Sequence, residues 1–174
     1  MKSKINILST LIITLGFLGI GGKAIAATGT LTVNATIIQN LTITENQSLD
    51  FGSFAIDGAS AGSTIIMSNT GARSESGGID LITSASGQQG EITIAGETGS
   101  SVSFSFPTGV TTLSETGGDT MTIASASWTS SQVSPCTIGT NCSNIGIGAT
   151  LTTTEVNQNP GLYSGTATIT ATYD

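Results

Sequence analysis

The chain has 174 residues, eleven Asp and Glu against four Lys and Arg, and no His. Three of the basic residues, Lys2, Lys4 and Lys23, lie near the start, so beyond them Arg73 alone faces all the carboxylates. A surface with one cation neutralises no row of phosphates and is repelled by anionic lipid, which excludes nucleic acid and an anionic membrane surface as partners.

The N-terminus reads as an export signal. Lys2 and Lys4 precede a nearly unbroken apolar run from Ile5 to Ile20, and Ala24-Ile25-Ala26 supplies a small-x-small cleavage site. This pattern predicts a secretory signal peptide over 1–26, cleaved after Ala26. Export predicts the periplasm first and the cell surface or extracellular space after it, with no membrane contact once the signal is gone. Residues 27–174 suit one domain, with a leading strand over 27–38 and a β domain over 39–174. In Thr28–Ile38, Leu31, Val33, Ala35 and Ile37 alternate with Thr30, Thr32, Asn34 and Thr36. A period of two puts the four apolar side chains on one face of an extended strand. Such a strand pairs either with its own sheet or with a neighbour's.

Short alternating runs between Gly, Asn and Ser clusters continue to the end, and no helical stripe interrupts them. The class is all-β, a sandwich or a barrel. Leu41–Ile43 and Leu49–Phe54 come first, then a core strand with Ile65, Ile66 and Met67. Gly71–Gly78, with Arg73 inside it, reads as a polar turn, and Ile79–Ile82 as a short strand. Glu91–Ala95 turns Ile92 and Ile94 inward; Val102, Phe104 and Phe106 alternate until Pro107 stops the ladder. Gly96–Gly99 between them predicts a hairpin. Residues 120–128 change parity, as a β-bulge or a strand buried on both sides would produce. Ile145, Ile147, Ala149 and Leu151 alternate cleanly. Asn159-Pro160-Gly161 predicts a turn with Gly161 in the left-handed region. A last strand runs from Tyr163 through Gly165, Ala167, Ile169 and Ala171 to Tyr173.

Cys136 and Cys142 enclose five residues, and in an oxidising compartment they are expected to form a small-loop disulfide. Their spacing is not that of a redox pair, and no His or Lys stands near to activate a thiol. A Ser or Thr nucleophile likewise lacks an ordinary base. Glu91, Glu97, Glu115 and Asp119 offer carboxylates for glycoside chemistry, and the Glu115–Asp119 loop offers hard oxygen ligands for calcium. Without an aromatic platform or EF-hand spacing, these side chains read as solvated charges. The expectation is a protein with no enzymatic activity, no catalytic residues, no metal site and no cofactor.

Three stretches carry a resemblance. Gly29–Ile38, Leu41-Thr-Ile and Leu49-Asp-Phe-Gly-Ser resemble the start of spore coat protein U-like domains, the subunits of archaic chaperone–usher pili. Pro160-Gly-Leu-Tyr-Ser-Gly-Thr-Ala-Thr-Ile-Thr-Ala-Thr-Tyr173 is similar to that family's closing strand. Gly90–Gly96 with Val102–Pro107 looks like a related uncharacterised family of secreted bacterial domains, domain of unknown function 4402. The resemblance implies an immunoglobulin-like β-sandwich with one strand supplied by donor-strand complementation. It makes Leu31, Val33, Ala35 and Ile37 donor-strand side chains, and Ile169, Ala171 and Tyr173 the C-terminal strand that contacts a chaperone. The implied partners are like subunits of a fibre, a periplasmic chaperone and an outer-membrane usher. The implied function is that of a secreted structural protein, a fimbrial subunit of a surface fibre active in cell adhesion. A self-complemented monomer binding a glycan through its loops is the alternative of a different class.

Overall fold

Strands need hydrogen-bonded neighbours as well as an alternating sequence, and the two requirements part company at the ends of this chain. The computed structural model describes residues 25–56, 61–156 and 158–174. The expected signal peptide lies, except for Ile25 and Ala26, outside the described residues. The chain divides into two units, residues 1–36 and 37–174. In the first, residues 25–36 belong to no helix or strand, and Leu31 and Val33 are 86% and 80% exposed. The alternation there marks a face, and a face alone makes no ladder.

The second unit is an all-β sandwich. In chain order its strands are β1 (Thr42–Gln47), β2 (Phe54–Ile56), β3 (Thr64–Met67), β4 (Arg73–Ser76), β5 (Ile79–Leu81), β6 (Gly90–Ala95) and β7 (Ser101–Ser105). Then follow β8 (Thr111–Ser114), β9 (Thr120–Ile123), β10 (Thr129–Ser130), β11 (Cys136–Thr137), β12 (Ile145–Thr153) and β13 (Thr170–Tyr173). The large sheet runs β1-β6-β12-β3-β4, with β10 and the β8–β9 pair also joined to β12. A second sheet runs β11-β7-β13, and β2 pairs with β5 as a third. Every pairing is antiparallel.

Strand β12 is the spine. Its odd-numbered residues Ile145, Ile147, Ala149, Leu151 and Thr153 are all buried, as one face of a strand at period two requires. Its first half pairs with β6 and β10, its second half with β3 and β9. Two core clusters form along it. Ile145 and Ile147 pack with Ile92, Ile94, Val102, Phe104 and the two cysteines. Ala149 and Leu151 pack with Phe51, Ile65, Met67, Ile79, Met121 and Ile123. Each buried Ile or Leu contributes about 1.5–3 kcal/mol relative to exposure. Trp128 packs against both clusters and joins them.

Several expectations are corrected. Glu91–Ala95 and Val102–Phe106 do not form a hairpin, because β6 pairs with β1 and β12 while β7 pairs with β11 and β13. The two strands face each other across the core, and residues 96–100 arch from one sheet to the other. The polar turn at 71–78 contains a strand, β4, paired with β3. In β3 itself Ile65 and Met67 are fully buried but Ile66 is 40% exposed, as alternation demands. The parity change after residue 123 comes from a 3₁₀ turn, Ser125–Ser127, and not from a bulge. Gly161 is absent from the left-handed region; its turn closes against the Glu115 side chain instead. The last strand is paired over Thr170–Tyr173 and at one isolated bridge, Ser164 with Ser114, with residues 165–169 between them outside any ladder.

Candidate functional site

The C-terminal stretch shows where the sandwich leaves strand edges unpaired among the described residues. Residues 165–169 precede β13 in sequence but belong to no ladder. Among the described residues no main-chain hydrogen bond between backbone groups reaches residues 165–168. Strand β1, on the other side, pairs among the described residues with β6 alone, and Ile43 on it is 38% exposed. Two adjacent backbones with unpaired edges form a template for an added strand.

Between them lies a groove. Its first half, about 370 Å³, is walled by Ile43, Glu45 and Gln47 on one side and Gly165–Ala167 with Ile169 on the other. Its floor comes from both cores: Ile92 and Ile147 from one, Phe51 and Ile123 from the other, with Trp128 between. The Trp128 indole N–H is buried and has no hydrogen-bond partner among the described residues; Phe106 stacks on the ring at 5.8 Å and 10°. A second half of about 550 Å³ lies between residues 49–56 and residues 158–163, over Met121 and Leu151. The halves share Leu49, Phe51 and Leu113. Residues 43–49 thus face 165–169 and residues 49–56 face 158–163, so the two walls run antiparallel.

One end of the groove is latched. The Tyr173 hydroxyl donates to the Gln39 carbonyl at 2.6 Å and accepts from the Glu97 amide at 2.7 Å. The Gln39 amide in turn donates to the Glu97 carboxylate at 3.3 Å. Asp174 accepts from Ser101 and, at 2.5 Å, from Ser103, and those two bonds hold its carboxyl below the ordinary aspartate range. At the far end, burial pushes the Tyr163 phenol up, against a hydrogen bond with Gln158. Its hydroxyl donates to the Asn159 carbonyl at 2.7 Å.

The residues singled out in the sequence fall in different places. Leu31, Val33, Ala35 and Ile37 are exposed, Ile37 at 98%. Ile169 lines the groove and packs on the first core, while Ala171 and Tyr173 sit opposite Phe104 and Val102 in β13. Cys136 and Cys142 are bonded, buried, and 5.4 Å apart at Cα. Glu91 stands on β6, Glu97 in the arch, and Glu115 and Asp119 in the β8–β9 turn, where the Gly117 amide donates to the Glu115 carboxylate. Among the described residues no group of three or more acidic or cysteine side chains is arranged to hold a metal ion. Sequence reasoning missed Phe51 as the shared floor, and it missed Arg73, whose Nη1 donates to the Phe51 carbonyl at 2.8 Å. The signal was the Leu49-Asp-Phe-Gly-Ser run, read as a short β run and as family resemblance.

Residues 41–173 match the family model described as Domain of unknown function (DUF4402). No curated protein and no solved structure matches the chain.

Proposed function

The chain belongs to the DUF4402 family, and from that premise we propose that it is a secreted structural protein, a subunit of a pilus-like surface fibre assembled by donor-strand exchange. The observation that carries this reading is the groove: a core opened between two unpaired strand edges, in a chain that also carries an exposed alternating segment at Leu31–Ile37. In the fibre, residues 28–38 of one copy lie in the groove of the next. Extended, they cover about 36 Å at ~3.3 Å per residue, a length suited to the wall formed by residues 43–56. Before assembly a periplasmic chaperone covers the same groove, and an outer-membrane usher releases the subunit to the surface.

The energetics favour a strand with every pocket filled. Burying Leu31, Val33 and Ile37 contributes about 1.5–3 kcal/mol each. Backbone hydrogen bonds to the unpaired edges add roughly 0.5–1.5 kcal/mol each. Ordering the segment costs on the order of 1–2 kcal/mol per residue and offsets most of that gain. This is β-augmentation in which side chains set register and backbone sets affinity.

Val33→Asp places an unpaired carboxylate in the groove, where burial is costly, and is expected to abolish assembly. Thr32→Asp, on the opposite face, is expected to be tolerated. Size-exclusion chromatography and negative-stain microscopy of native protein read the result as ladders or fibres. A stable monomer whose residues 28–38 are protected from hydrogen exchange within their own chain would overturn the proposal in favour of a self-complemented, ligand-binding domain.

A further inference from the structure

Arg73 makes hydrogen bonds that ordinary surface arginines do not. Its Nη1 donates to the carbonyls of Phe51 at 2.8 Å, Ser53 at 3.1 Å and Ala85 at 3.2 Å, and its Nη2 donates to the Ile82 carbonyl at 2.7 Å. Four main-chain dipoles from two separate segments therefore converge on one cation. A planar guanidinium presents its donors in a fixed fork, which suits such a cage; an ammonium does not reach the same four points.

The two segments meet too closely for side chains. Gly52 and Gly87 have φ of +69° and +68°, where only glycine sits without strain. A Cβ on Gly52 would strike the Ala85 carbonyl and the guanidinium; one on Gly87 would strike the Asp50 carbonyl and the Gly52 amide. Asp50 and Gln88 exchange main-chain hydrogen bonds, Ser53 donates to Ala85, and Ile82 donates to Ser53. What this assembly holds in place is Phe51, 6% exposed and common to both halves of the groove.

We propose that Arg73 is the positioning residue of the groove: by caging the carbonyls of Phe51, Ser53, Ile82 and Ala85, it fixes the Phe51 ring as the floor on which the strand of a second copy seats. The inference rests on the fibre reading and adds the residue that sets its acceptor geometry. Arg73 lines neither half of the groove and acts through Phe51.

The test uses the full-length secreted protein carrying Val33→Asp, so that it stays unassembled, and a fluorescein-labelled peptide of residues 28–38. Arg73→Lys keeps the charge and loses the fork. It is expected to weaken peptide binding at least tenfold at a temperature where the protein remains folded. An Ile138 variant, Val or Ala, is chosen to match the loss in unfolding midpoint; Ile138 lies in the other core, and its variant should bind within twofold of the parent. Equal binding by Arg73→Lys, or an equal loss in the Ile138 variant, overturns the inference and leaves the fibre reading standing. A parent that binds no peptide overturns both. Should Arg73→Lys fail to fold, hydrogen exchange in the parent decides. Peptide binding is expected to slow exchange at the Ser53 and Ile82 amides at least fivefold, and unchanged exchange there overturns the inference.

Discussion

Asp174 shows what a single carboxylate does at the latched end. It accepts hydrogen bonds from Ser101 and Ser103, and they favour its charged form. A carboxyl whose folded pKa is depressed contributes stability that is present above its unfolded pKa and is lost as pH falls through the folded one. In an NMR titration Asp174 is expected to protonate below ordinary aspartates. Asp174→Asn should remove that part of the acid dependence and leave stability at higher pH controlled by the rest of the sandwich. At this scale the sequence was legible where chemistry is local. The bond between Cys136 and Cys142 follows from their proximity in the chain. Arg73 was not legible, because its four acceptors lie 9 to 22 positions away and nothing in the glycine- and serine-rich stretch around it announces them.

Alternation identified the buried faces of the strands well, since it reports the side of a strand that meets apolar neighbours. Ile92 and Ile94, Val102 and Phe104, and Ile145 to Leu151 all point inward as their spacing requires. Pairing was less legible, because a glycine-rich connection serves a hairpin and an arch equally. The arch at residues 96–100 depends on Gly96, where a Cβ would strike the Tyr173 hydroxyl and meet Ile138 Cδ1 and Leu41 Cδ2 at 3.0 Å. Gly96→Ala is therefore expected to overpack this corner and cost about 1–3 kcal/mol, read as a lowered denaturant midpoint with an unchanged slope. Gly109→Ala, where a Cβ meets nothing within 4 Å, is the matching control and should be near neutral.

Across the whole molecule, the two cores share one strand and one tryptophan. Neither core keeps its apolar face if β12 leaves, so the sandwich is expected to unfold as a single cooperative unit. Calorimetric and van't Hoff enthalpies should agree, and near-UV signals from Trp128 should change together with the far-UV spectrum. Two separated transitions would show that the halves are independent. The place of the open groove was beyond the reach of residue patterning, although the family resemblance implied a strand supplied from outside. Residues 165–169 alternate as well as any paired strand, and only the missing neighbour distinguishes them from Ser164, which bridges to Ser114, and from β13.

The position of β12 also bears on the order in which the chain is made. Every other strand of the large sheet is synthesised before residue 145, yet both cores wait for Ile145, Ile147, Ala149 and Leu151 to close them. A chain emerging from the ribosome N-terminus first carries hairpins such as β3–β4 and β8–β9 but no finished interior. Most of its contacts join residues far apart in sequence, an arrangement that folds slowly. Until residues 145–153 are made neither interior can close, and the sandwich takes its final shape only once the spine strand is present.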